Sequence, residues 1–119
     1  MKVAVSAQAA SWDAQVDPRF GRAPVFALID TETGTLTAIV NEAGESAQGA
    51  GVQAAATVSR AGATVVLTGH CGPKAFATLT AAGVRVVNGA EGTVASALAG
   101  FRAGKLSEAP SADVGGHWA

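Results

Sequence analysis

The chain has 119 residues, a length for one domain with a core of its own, and its net charge is −1. Charged residues make up 14% of it, against about 25% in ordinary soluble domains, and no basic block is present, so nucleic acid is not an expected partner. One cysteine excludes an intramolecular disulfide. No apolar run approaches the ~18 residues of a membrane span, and the chain opens into a strand pattern rather than a leader. The expectation is a cytoplasmic domain without membrane contact.

Lys2 to Ser6 is a short β-branched run that predicts the first strand. Residues 7–20 are polar and irregular, longer than the usual connection. Pro24 to Asp30 and Leu36 to Glu42 flank Thr31-Glu32-Thr33-Gly34, which predicts a hairpin whose glycine supplies the positive φ of the turn. Gly49-Ala50-Gly51 opens a helical rhythm through Val52, Ala55, Ala56, Ser59 and Arg60 that stops at Gly62. A strand is expected over Ala63–Thr68, a helix over Ala75–Ala82 and a strand over Val84–Val87. The final helix is expected over Thr93–Ala103, with Val94, Ala97, Leu98 and Phe101 on one face and Gly104 as its stop. From Lys105 the sequence is a Pro/Gly/Ser-rich tail without periodicity, ending Gly115-Gly116-His117-Trp118-Ala119. Residues 1–104 thus form the domain and 105–119 a tail expected to be flexible.

Three strands with short links make an antiparallel meander, and each later helix carries the chain to a parallel strand by a right-handed crossover. The predicted fold class is α/β: a mixed five-strand sheet ordered 3-2-1-4-5, only the second strand reversed, with helices on both faces in three layers. Strands one and four are then neighbours whose outgoing loops diverge. Their carboxyl ends make a crevice walled by residues 7–20 and 69–74, the usual place for a ligand in such sheets.

The second of these loops carries the densest chemistry. In Thr68-Gly69-His70-Cys71-Gly72-Pro73-Lys74-Ala75-Phe76, a thiol, an imidazole and an ammonium fall within five positions. Gly69 and Gly72 permit close backbone approach, Pro73 suits a first helical turn, and the N–H groups after it suit an anion. Three readings of Cys71 stay open: a nucleophile activated by the helix start, one soft metal ligand beside His70, or a small buried hydrophobe. Neither a Cys-x5-Arg phosphatase loop nor a second thioredoxin-type cysteine is present. The first loop contributes Asp17-Pro18-Arg19-Phe20-Gly21-Arg22-Ala23. Its guanidiniums suit polyatomic anions, and Asp17 pairing with Arg19 or Arg22 to lock the loop is an equal reading. The first strand has no carboxylates for a nuclease-type magnesium site.

Together, residues 16–23, Gly49-Ala50-Gly51-Val52-Gln53-Ala54-Ala55 and Thr68–Phe76 resemble the dinitrogenase iron–molybdenum cofactor biosynthesis family. Ala82-Gly83-Val84, Gly92-Thr93-Val94 and Gly104-Lys105-Leu106 continue the likeness over nearly the whole chain. Where many relatives carry a histidine ahead of the Gly-x-Gly, this chain has Ser46, Ala47 and Gln48. The resemblance implies a ribonuclease H-like fold and a non-enzymatic carrier. Its cargo would be a metal–sulfur cluster, of molybdenum–copper or iron–molybdenum sulfide type, passed on to a protein delivery partner. The cluster would be held by Arg19, Phe20, Gly21, Arg22, Gly49, Gly51, Gly69, Gly72 and Lys74, with His70 and Cys71 as candidate metal ligands. A thiomolybdate-type polyanion brings its own sulfides and needs N–H donors, cations and apolar walls, for which Phe20 and Phe76 are candidates. The alternative from another class is a metal-independent regulatory interaction module of the same fold.

Overall fold

The computed structural model describes residues 1–43, 49–106 and 108. Ser46–Gln48 and the closing Gly115–Trp118, and with them most of the expected tail, lie outside the described residues. The element order is β1 (Lys2–Ala7), β2 (Val25–Asp30), β3 (Thr35–Val40), α1 (Ala50–Arg60), β4 (Val65–Leu67), α2 (Pro73–Ala81), β5 (Arg85–Val87) and α3 (Val94–Arg102). The sheet runs β3-β2-β1-β4-β5, with β2 antiparallel to its neighbours and β1, β4 and β5 parallel. This is the predicted topology. Gly34 turns the first hairpin at φ 76°, as its position requires.

Alternation along β1 sorts the core into two layers. Val3, Val5 and Ala7 face α3 with Ile29, Leu67, Val94 and Leu98. Ala4 faces α1 and α2 with Phe26, Val58, Val66 and Leu79. The small residues Ala54, Ala55 and Ala75 are buried and let both helices sit close on the sheet.

Several boundaries differ from the sequence reading, and the third strand closes at Val40 rather than Glu42. β4 and β5 are shorter than their apolar runs, because the residues just ahead of them bond back to the preceding helices: Ala63 N–H reaches Val58 O in α1 (3.2 Å) and Val84 N–H reaches Leu79 O in α2 (2.9 Å). α2 starts two residues early, with Pro73 inside its first turn. The long first loop is not irregular. It doubles back, with Gln8 N–H on Gln15 O (2.9 Å) and Val16 N–H on Gly92 O (2.8 Å). Its Trp12 and Ala14 carbonyls accept from Ala95 and Val94 at the start of α3 (3.0 and 2.9 Å). Thr93 and Ser96 add a reciprocal capping box there. The amino end of α3 is thereby sealed.

The largest departure is at the crevice. The β1 and β4 loops do emerge at one end of the sheet, but their backbones pair: His70 N–H donates to Pro18 O (2.7 Å) and Phe20 N–H to His70 O (3.2 Å). Gly69 allows this, since a Cβ there would lie 2.7 Å from Pro18 Cα and 2.8 Å from Pro18 O. Gly69→Ala should therefore cost the upper part of the roughly 1–3 kcal/mol seen for overpacking, because the obstacle is backbone. Thr93→Ala, losing one cap bond, should cost about 1 kcal/mol. Urea unfolding of both variants checks the ranking, and a Gly69→Ala protein as stable as the parent would contradict the close contact.

Candidate functional site

All three helices run antiparallel to the β-strands they follow into the sheet, so their amino ends gather at the edge where the two loops meet. They differ in how those ends are satisfied. α3 is capped by side chains and by the first loop. α1 begins after Gly49, in the left-handed region at φ 73°, and α2 after Gly72; neither has a side-chain cap hydrogen bond. The helical ladder of α1 opens with Gln53 N–H on Gly49 O, and that of α2 with Phe76 N–H on Gly72 O. The N–H groups of residues 50–52 and of Lys74 and Ala75 lie ahead of those rungs. α1 and α2 pack side by side, so two helix dipoles present their positive ends together.

Basic residues lie on the segments around these ends, Lys74 in the first turn of α2 itself. Pairing of the loops puts Arg19 beside His70 as a bridge pair. Arg19 and Lys74 are exposed, and Arg22 and His70 half-buried. Asp17 is 2% exposed and fixes the first loop: its Oδ1 accepts from Arg19 N–H at 2.9 Å, and its Oδ2 accepts from Gln8 Nε2. Arg19 Nε lies 3.9 Å from the same carboxylate, a half-exposed ion pair of small worth. The locking role of Asp17 is thus realised with Arg19. Beneath it, Ser6 Oγ bonds to Asp17 O (2.8 Å) and to Thr68 Oγ1 (2.7 Å), joining β1 and β4 under the loops.

Other candidates sit elsewhere than expected. Phe20 is fully buried, its ring 5.1 Å from that of Phe26, so it is a core residue and not a crevice wall. The paired loop backbones turn it inward. Phe76 is half-buried against the same cluster. Cys71 is also fully buried, among Ala4, Phe20, Ala54 and Leu79, and its Sγ lies 3.7 Å from Gly72 O. Gly21, Gly51, Gly69 and Gly72 are buried, and Gly49 is exposed at the α1 start. Among the described residues no group of three or more His, Cys, Asp or Glu side chains is placed to hold a metal ion.

Sequence reasoning missed Asn41 and Gln8. Asn41 is buried; its Nδ2 donates to Gly21 O (3.1 Å) and Ala23 O (2.8 Å), and its Oδ1 accepts from Ala43 N–H (3.3 Å). It fixes the segment bearing Arg22 to the chain that leads into α1. Its only signal in sequence is a polar residue near the end of the third strand's run.

Comparison with known proteins agrees with this architecture. The chain is similar to the apo form of the orange protein from Desulfovibrio gigas, at 38% identity over 95% of this chain and 96% of that one, with a TM-score of 0.92. It is also similar to a Thermotoga protein provisionally described as a NifB protein of the DUF35 family, known from an NMR structure. That match has 31% identity, covers 97% of this chain and 98% of the other, and has a TM-score of 0.84. No curated protein matches the chain. The family model described as dinitrogenase iron–molybdenum cofactor matches residues 1–104. The chain belongs to that family.

Proposed function

We propose that this protein is a non-enzymatic carrier that holds a metal–sulfur cluster non-covalently and passes it to a protein partner. The observation that carries the reading is the pair of glycine-started, side-chain-uncapped helices α1 and α2 at the edge bearing Arg19, Arg22, His70 and Lys74, while α3 at the same edge is sealed. Helix amino ends without a side-chain cap, with basic residues on the neighbouring segments, favour anions. Family membership and the likeness to the orange protein support a cargo related to the iron–molybdenum cofactor. Molybdenum–copper and iron–molybdenum sulfides share the relevant chemistry, since both are polyanions whose outer atoms are hydrogen-bond-accepting sulfides.

In this reading Arg19, Arg22 and Lys74 neutralise the cluster's charge, and the N–H groups at the starts of α1 and α2 take its sulfides. His70 adds a donor or a single metal ligand at the rim. Cys71 supports the site from below as part of the apolar cluster, and its thiol is not a required ligand.

Tetrathiomolybdate, supplied anaerobically with and without cuprous ion, is the probe, and metal retained through gel filtration is the measurement. Wild type should retain colour and metal, with retention falling as salt rises. Arg19→Ala and Lys74→Ala should each weaken retention about ten- to a hundred-fold, equivalent to roughly 1.5–3 kcal/mol per charged hydrogen bond, and flatten the salt dependence. Cys71→Ala should keep the parental metal content. Loss of metal in Cys71→Ala alone would establish thiolate ligation and overturn the electrostatic grip. A wild-type protein that retains no metal would favour the metal-independent interaction module.

A further inference from the structure

Among the described residues, one sealed side-chain polar atom has no hydrogen-bond partner: Oδ1 of Asn88. Buried acceptors are nearly always satisfied, and an exception in a folded chain points to a role outside packing. Asn88 directly follows β5, and the backbone around it is bound to the loop that carries His70 and Lys74. Thr68 N–H donates to Val87 O, Gly89 N–H to Gly69 O and Ala90 N–H to Thr68 O, each at 3.0 Å. These bonds hold Asn88 next to Thr68, which itself meets Ser6 at 2.7 Å under the first loop. Asn88 therefore stands at the same end of the sheet as the loop that leads into α2.

The residue as a whole is partly exposed although its Oδ1 is sealed. The amide is trigonal, so an inward oxygen sends Nδ2, the donor end, to the accessible side. Reversing it would turn an acceptor toward the cationic rim's anion and bury two N–H donors instead. We infer that Asn88 is a further recognition residue of the site, its Nδ2 donating a hydrogen bond to a sulfide of the bound cluster. The inference rests on the carrier reading. It explains why a polar side chain occupies a position where leucine, of similar size, would leave no acceptor unpaired. Among the described residues the acceptor end has no partner, and the donor end is what an anion uses.

Asn88→Leu and Asn88→Asp separate this role from a structural one. With tetrathiomolybdate as probe, Asn88→Leu should retain it about tenfold more weakly than wild type while unfolding at the same temperature or higher. Asn88→Asp puts a negative oxygen where the donor was; it should weaken retention further, and added salt should narrow its gap from wild type. In 15N-labelled wild type, the Asn88 side-chain NH2 resonances should shift when tetrathiomolybdate is added. Parental retention by both variants, or resonances that do not move in a wild type that binds the probe, would overturn the assignment to Asn88 and leave the carrier reading intact. A lower unfolding temperature for Asn88→Leu with unchanged retention would show a packing role and also overturn it. A wild type that fails to bind the probe would remove the carrier reading, and this inference with it.

Discussion

The hydrogen bond from the His70 amide to the Pro18 carbonyl, 2.7 Å long, is the constraint on which the rest of the site depends. It joins the loop leaving β1 to the loop leaving β4, where an open sheet of this topology would otherwise part. Once the two backbones are paired, the side chains on either side have little choice. Phe20 turns into the core against Phe26, and Cys71 goes under the loop. Arg19 comes out beside His70. The pairing also explains the cluster of polar groups below it. Ser6, Thr68 and the Asp17 backbone satisfy one another, because the sealed crevice gives them no water. The expected open cleft is closed by paired backbone over the buried Ser6, Asp17 and Thr68.

Most of the fold was legible in the sequence because its signals are local. The Gly34 hairpin, the stops at Gly62 and Gly83 and the right-handed crossover rule are enough to order five strands. Strand ends were less legible: Ala63 and Val84 continue an apolar run but place their N–H groups on carbonyls of the preceding helices, Val58 O and Leu79 O. The first loop was illegible for the opposite reason. Its order comes from long-range backbone bonds, such as Val16 to Gly92 and Ala95 to Trp12, and backbone atoms leave no mark on composition.

The site divides in the same way. The residue types that suit an anion, Arg19, Arg22 and Lys74 beside glycine-rich helix starts, were visible at once. The direction in which Phe20 and Cys71 point was not, since a loop has no alternation to assign inside and outside. Gln8 and Asn41 were missed because their partners are respectively a distant carboxylate and main-chain carbonyls. A cysteine flanked by histidine and a helix start has the look of a metal ligand. Full burial among alanines, phenylalanine and leucine gives it the surroundings of a small apolar side chain.

The three helix starts show how stability and binding are balanced at one edge of the sheet. At α3 the orphan N–H groups are taken by Thr93, Ser96 and two loop carbonyls, and the helix is fixed. At α1 and α2 the same groups are preceded by glycine. Glycine at an N-cap loses only a few tenths of a kcal/mol relative to serine or asparagine, so the helices still form without a side-chain cap. A serine there would compete for the N–H groups, and an aspartate would add negative charge at the place where the proposed anion would come. Glycine is thus the residue that keeps both helices stable while leaving their positive ends available. The buried Asp17 completes the balance: its carboxylate is turned inward onto Gln8 and the Arg19 amide, so the loop is held by a negative charge that the outer face of the site does not carry.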